Sequence, residues 1–251
     1  MSDEIRIIPV RGIPEVKPGD DLAAIIGDAV EARGLTLEDG DVIVIAQKVV
    51  SKAQGDLVTL TEIEPSVLAT EFARAFEKDP RHVEVVLREA RRIVRMERGV
   101  LIVETKHGFI CANAGVDTSN IGGTDVLSLL PPDPDGSALL LLQALAQRFG
   151  VRLAVIISDT FGRPWREGQT NIAIGVAGML PLRSYVGQAD DYGYEMRVTE
   201  LAVADELAGA AELVQGKVDR VPVAVIRGAT YEPGDGDAQM LVRPAERDLF
   251  R

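Results

Sequence analysis

The sequence predicts a single α+β unit, with mixed sheets at its centre and helices as a peripheral layer. Three observations carry this. Apolar, β-branched runs at residues 41–46 and 153–158 have the length and composition of buried strands. Segments at residues 62–77 and 82–92 pair apolar positions at helical spacing with charged outer faces. No internal repeat, low-complexity linker or clear boundary divides residues 1–251, so one domain is expected. The chain has no G-x-x-x-x-G-K-S/T loop and no G-x-G-x-x-G after a strand, which argues against P-loop and Rossmann folds. Any nucleotide must be held in another way. The G-x-S-x-G nucleophile elbow is missing as well.

In chain order, residues 5–10 read as a first strand and are followed by the turn-rich loop Arg11-Gly-Ile13-Pro-Glu-Val-Lys17-Pro-Gly19. Asp20 or Asp21 can cap a helix that runs to about Arg33, where Gly34 ends it. Asp39-Gly40 turns into the strand at 41–46, and Gln47-Lys48-Val-Val-Ser51-Lys52-Ala-Gln-Gly55 continues with polar groups beside β-branched ones. Lys48 and Lys52 are read either as gatekeepers on an edge strand or, Lys52 above all, as a phosphate-facing cation. Two helices at 62–77 and 82–92 come next, with His82 as a solvated helix-start residue. His107 sits at a hairpin turn between strands at 100–105 and 109–112. A proline-rich loop around Pro131 and Pro134 ends in a helix cap, and a strongly apolar helix at 138–149 is expected to be buried and stopped by Gly150. After the strand at 153–158, small apolar residues at 171–178 suit close packing and 185–194 is a polar, aromatic-bearing loop. Thr199 caps a helix to about Val214, and a last strand covers 221–226.

A net charge of −12 opposes binding to a phosphate backbone or an anionic membrane, so no nucleic-acid or membrane partner is expected. No segment has the apolar length of a membrane span, and the start lacks a signal-peptide core, which points to the cytoplasm. One cysteine, Cys111, excludes an internal disulfide and a cysteine-cluster metal site, and two histidines far apart in sequence argue against a histidine-built one. An anionic substrate needs local neutralisation in so acidic a chain. The six lysines, Lys17, Lys48, Lys52, Lys78, Lys106 and Lys217, are therefore informative.

Two stretches carry chemistry. Val155-Ile-Ile-Ser-Asp159-Thr160-Phe-Gly-Arg163-Pro-Trp165-Arg166-Glu-Gly168 is a buried strand opening into an acid, a hydroxyl, two glycines and two arginines. Asp159 and Thr160 offer hard oxygen ligands for a divalent cation, and Arg163 and Arg166 offer forked donors for phosphate or carboxylate. A helix cap followed by solvated arginines is the alternative. The single tryptophan between the arginines suggests a segment held in place. Cys111-Ala-Asn113-Ala-Gly-Val-Asp117-Thr-Ser-Asn120 gathers amides and hydroxyls around one carboxylate after a strand, as a ligand site or as Asx and Ser/Thr turns.

Arg11-Gly-Ile-Pro14, Val50-Ser-Lys52-Ala, Asn113-Ala-Gly-Val-Asp117-Thr-Ser-Asn120, Leu130-Pro-Pro-Asp-Pro-Asp-Gly136-Ser and Ser158-Asp159-Thr-Phe-Gly-Arg163 occur in order over nearly the whole chain. Together they resemble the coenzyme F420-0:L-glutamate ligase family, also called F420 gamma-glutamyl ligase. Some relatives carry a following nitroreductase-like domain; a chain ending at Arg251 resembles the stand-alone form. The resemblance implies a mixed α+β fold that forms an intertwined homodimer. It implies an enzyme that uses GTP to join L-glutamate to the phospholactyl carboxylate of coenzyme F420-0, then adds glutamate through gamma linkages, with Mn²⁺ or Mg²⁺ and, in some members, K⁺. By position, Asp117, Asp159 and Thr160 match the metal-binding residues, with Asp117, Asp159 and Arg163 expected in catalysis. Ile13, Lys52 and Asn120 match the nucleotide-contacting region, Gln47 stands where some relatives have serine, and Gln215, Gly216 and Lys217 fall in a late GTP and metal segment. A metal-dependent GTP phosphohydrolase and a non-catalytic nucleotide-binding dimer use the same residues and remain alternatives.

Overall fold

In the computed structural model, residues 4–118 and 125–249 are described. The elements in order are β1 (Arg6–Val10), α1 (Leu22–Ala32), β2 (Asp41–Ala46), α2 (Gln47–Gln54), β3 (Leu57–Thr59), α3 (Val67–Phe76), α4 (Pro80–Glu89), β4 (Ala90–Glu97), β5 (Val100–Thr105), β6 (Ile110–Ala112), β7 (Val126–Ser128), α5 (Pro134–Phe149), β8 (Leu153–Arg163), β9 (Arg166–Ala177), β10 (Arg183–Ser184), β11 (Glu200–Leu201), α6 (Val203–Gln215) and β12 (Val223–Arg227). The fold is mixed, with several sheets and helices.

A five-stranded sheet in the order β1-β12-β2-β8-β9 forms the centre. Only β2 and β8 run parallel, their pairing ending with Ala46 opposite Ser158. Residues 42–45 and 154–157 are 0 % exposed, so both faces of the sheet are covered, which is why these strands read as unbroken apolar runs rather than alternating ones. The large core around them takes in residues of α1, α5 and α6. Arg227 at the end of β12 closes the sheet, its guanidinium meeting Asp41 at 2.7 Å.

A second, smaller core lies between α3, α4 and the sheet β4-β5-β6, with Leu101, Val103 and Leu127 among its buried residues. A ribbon of β3 with β7 and another of β10 with β11 complete the strands of the described residues. None of their helices is long and apolar enough to cross a membrane.

Several segments depart from expectation for physical reasons. Residues 47–54 form a helix, stopped by Gly55 in the left-handed conformation at φ 80°, rather than an edge strand. The β-branched pair Val49-Val50 costs little helix propensity, and Ser51 anchors the helix by donating to the Leu129 carbonyl at 2.7 Å. The helix expected to reach residue 92 ends at Glu89, and residues 90–97 form the edge strand β4. Arg92 Nε donates to Glu104 across the strands at 2.7 Å, a non-local pair that helical spacing could not reveal. α5 begins at Pro134 with Asp133 as its cap, and only one stripe of it is buried: Leu139 and Leu140 are exposed. Thr199 does not cap α6, which starts after Ala202 without a side-chain cap. β8 runs on past Ser158 to Arg163 and turns directly into β9.

Candidate active site

Asp159 and Thr160 lie just past the parallel pairing of β2 with β8, where β8 continues paired with β9 alone, Asp159 opposite Ile172 and Thr160 opposite Asn171. Because β2 ends at Ala46 and α2 begins at once, Lys48 rises beside them. Asp117 reaches the same place from the smaller core. A tight turn with Asn113 and Ala114 at positive φ follows β6, and Asp117 is then pinned by two backbone bonds to Ser128, at 2.9 and 3.1 Å. Its carboxylate takes Lys48 Nζ at 2.7 Å.

Burial pushes the Asp159 carboxyl up to about 6. A bond from the Thr160 backbone opposes this, the charge of Asp117 adds to it, and the ammoniums of Lys48 and Lys217 oppose it. The two acids, far apart in sequence, therefore share one electrostatic field. Thr160 donates its hydroxyl proton to Asn171 Oδ1 at 2.7 Å and receives Lys217 Nζ at 2.6 Å. Glu212 joins them, bonded by Asn171 Nδ2 and by Lys217, each at 2.8 Å.

The expected nucleotide residues fall into three places. Lys52 is buried and paired with the exposed Glu15, which draws the loop after β1 along α2; Gly19 N to Ala53 O at 2.9 Å fastens the loop, and Ile13 packs against the large core. Gln47 is 2 % exposed, its side-chain amide 2.8 Å from the Ser51 hydroxyl. Gln215 is also buried and donates to the carbonyls of Val44 and Pro222, tying α6 to the sheet, while Gly216 at φ 60° turns the chain so that Lys217 points back to Thr160. Asn120 lies outside the described residues.

Arg163 and Arg166 face each other at the exposed end of the β8–β9 hairpin, with Trp165 at its tip and 71 % exposed. Arg163 donates to the carbonyls of Glu167 and Gly168, so its guanidinium braces the hairpin. It stands four positions along the strand from Asp159, on the order of 13 Å at about 3.3 Å per residue.

Among the described residues no group of three or more His, Cys, Asp or Glu side chains is placed to hold a metal ion. Asp117, Asp159 and Thr160 supply two carboxylates and a hydroxyl, a hard-oxygen set. Asp159 fits a cation in this sense: it is a carboxyl made costly to ionise by burial beside a second carboxylate, and a positive ion relieves that cost. Cys111 is no ligand candidate, since burial, reinforced by Asp159, pushes its thiol up to about 12. His82 is not a solvated residue. Its Nε2 is buried without a hydrogen-bond partner among the described residues, and burial holds it below its ordinary value. A cleft of about 190 Å³ with Lys78, His82 and Asn113 in its wall lies on this side.

Sequence reasoning weighed Lys48 but preferred Lys52, and it did not select Asn171 or Glu212. Lys48 had a signal: were 47–54 recognised as helix, Lys48 and Lys52 stand four apart on one face. Asn171 and Glu212 had none, because their roles depend on β9 and α6 meeting Thr160.

A family model described as F420-0:Gamma-glutamyl ligase matches residues 12–228. The chain is 47% identical over 250 residues to a coenzyme F420:L-glutamate ligase of Methanothermobacter thermautotrophicus, covering 98% of this chain and 99% of the relative. It is 46% identical over 252 residues to the protein of that name from Methanopyrus kandleri, covering 98% of each, and 39% identical over 249 residues to that from Archaeoglobus fulgidus, covering 98% and 96%.

Proposed function

The chain belongs to the F420-0:gamma-glutamyl ligase family, and on that premise we propose that it joins L-glutamate to the phospholactyl carboxylate of coenzyme F420-0 at the expense of GTP, then adds glutamate through gamma linkages. The observation that carries the reading is the convergence of Asp117 with Asp159 and Thr160, between Lys48 and Lys217, just past the parallel pairing of β2 with β8.

A carboxylate is a poor acyl donor in water. Transfer of the γ-phosphoryl group of GTP to it gives an acyl phosphate and GDP; the amine of glutamate then attacks the acyl carbon, the amide bond forms, phosphate leaves and the amine loses its proton. The protein's part in the first step is to position and to neutralise. Lys48 and Lys217 bring positive charge to the site of a chain with net charge −12. Lys52 supplies a buried ammonium for nucleotide phosphate, its partner Glu15 being on the solvent side and able to give way. Asp117, Asp159 and Thr160 would hold Mn²⁺ or Mg²⁺, with K⁺ assisting; when bound, such an ion neutralises phosphate oxygens and keeps the reacting groups in line. Arg163 and Arg166, exposed at the hairpin end, are assigned to the phosphate or carboxylates of the precursor.

The active species is proposed to be a homodimer. Trp165, Tyr192 and Val198 are 71 %, 97 % and 87 % exposed, apolar surface that a second copy would cover. Sedimentation that finds a folded, active monomer at low concentration defeats this.

Mass spectrometry of reactions containing coenzyme F420-0, GTP, L-glutamate and Mn²⁺, each omitted in turn, tests the activity. The expected result is a mass gain of one or more glutamyl units only in the complete mixture, with GDP formed in step. Phosphate release from GTP without glutamate identifies a phosphohydrolase, and nucleotide binding without any turnover identifies a non-catalytic dimer. Either outcome overturns the assignment.

A further inference from the structure

We propose that Lys217 is a built-in cation of this site: its ammonium occupies the position on Thr160 Oγ1 that a divalent ion would otherwise take, so that a bound divalent ion is confined to the Asp117 and Asp159 end. This rests on the reading of Asp117, Asp159 and Thr160 as a metal-holding set, and it changes that reading at one member.

The geometry accounts for every proton. Lys217 Nζ lies 2.6 Å from Thr160 Oγ1, 2.8 Å from Glu212 Oε1 and 3.4 Å from Asn171 Oδ1. An ammonium has three N–H donors, and three oxygens are placed to accept them. Thr160 spends its own proton on Asn171 Oδ1 at 2.7 Å, which leaves its oxygen to act only as an acceptor, the role a metal ligand also needs. Asn171 Nδ2 donates to Glu212 Oε2 at 2.8 Å, which fixes the amide's orientation and closes a ring of four side chains.

The ring is anchored by three different elements. Thr160 and Asn171 are directly opposed on β8 and β9, Glu212 stands on α6, and Lys217 follows the end of that helix. Asn171 is 4 % exposed and cannot turn away to water. Gly216 makes the return of the chain possible: at φ 60° a Cβ there would lie 2.2 Å from Asp219 Oδ2. Lys217 itself remains 58% exposed along its side chain, so an incoming phosphate oxygen reaches the ammonium without a buried approach. A divalent ion on Thr160 Oγ1 would share that oxygen with the ammonium, and two cations at contact distance on a single neutral hydroxyl repel each other strongly. Displacing Lys217 instead would leave Glu212 to be satisfied anew.

The test counts tight Mn²⁺ sites, with Mn²⁺ alone as the probe, by electron paramagnetic resonance of the unbound ion and by calorimetry on the full chain. Wild type is expected to bind one ion per chain. Lys217→Glu replaces the ammonium with a carboxylate beside Glu212 and Thr160, and is expected to bind one ion more. Adding Thr160→Val to Lys217→Glu is expected to remove that extra ion. Thermal melts check that each variant is folded; should Lys217→Glu fail to fold, Lys217→Ala, which only deletes the ammonium, is expected to show the same gain. No gain in a folded Lys217 variant, or a second wild-type site that Thr160→Val abolishes, overturns the proposal. Counts of zero for wild type and one for Lys217→Glu would uphold the role of Lys217 while removing the metal from Asp117 and Asp159, so the two readings fail separately.

Discussion

The two principal sheets are built from opposite kinds of sequence. Residues 42–45 of β2 and 154–157 of β8 are apolar on both faces and sealed from water, whereas β4 has six of its eight residues exposed and is held by cross-strand ion pairs such as Arg92 with Glu104. The first is rigid scaffold; the second is a thin layer over α3 and α4 whose last strand leads to Asp117. Each contributes one carboxylate to the site. Chemistry therefore depends on the smaller unit staying seated against the larger, through contacts such as Lys48 with Asp117, although most of the stabilising burial lies in the larger.

Separating the two carboxylates chemically tests this division most severely. Asp117→Asn and Asp159→Asn keep size and remove charge, and each is expected to lower glutamate ligation by roughly 10³-fold, since several kcal/mol of transition-state charge stabilisation are at stake and each 1.36 kcal/mol is tenfold. Product formation by mass spectrometry, with circular dichroism to confirm folding, measures it; wild-type turnover in either variant sinks the pairing.

Truncating one side chain in each sheet compares their energetics. Ile156→Ala in β8, at 0 % exposure, is expected to cost about 4 kcal/mol, whereas Ile93→Ala in β4, at 37 %, should cost about 1 kcal/mol or less. Urea denaturation gives both values, and similar costs would show that the smaller sheet carries as much packing as the larger.

Lys52 belongs to the larger unit and makes no contact across the seam in its ion pair with Glu15. Lys52→Ala is expected to weaken GTP binding by about 2 kcal/mol, roughly 30-fold, with ligation kcat changed less than KM. Unchanged affinity in calorimetry returns Lys52 to a purely structural role.

One expected effect has the opposite sign. Asp159 ionises at about 6 in the folded protein against an ordinary 3.8, because burial penalises its charged form. Below about pH 4 both folded and unfolded chains hold the proton and nothing is lost; as pH rises the unfolded chain releases it first, so folding stability falls until about pH 6 and stays low above it. Metal-free Asp159→Asn should thus be more stable than wild type at pH 7.5 by about 3 kcal/mol, with the difference gone at pH 4. Melting curves at the two pH values read this out. A variant that is less stable at pH 7.5 would show that the carboxylate is retained for the fold rather than for a ligand.

What the sequence determined by itself was what depends on near neighbours. The strand at 41–46, the helix capped by Asp21 and released at Gly34, the hairpin around His107 and the ordered family blocks were all legible, because periodicity, caps and turn residues are local properties. Asp117, Asp159 and Thr160 were legible as chemistry for the same reason, being acids and a hydroxyl at the ends of apolar runs. Tertiary structure decided the rest. β4 is a strand because Glu104 is across from Arg92, and 47–54 is a helix because Ser51 finds the Leu129 carbonyl. Arg163 stands on the β8–β9 hairpin, with donors on the carbonyls of Glu167 and Gly168, because β8 does not stop at Ser158. Lys48, Asn171 and Glu212 enter the site only because the start of α2, the middle of β9 and the end of α6 meet at one place. Such meetings are set by how sheets and helices pack, and no spacing along the chain encodes them.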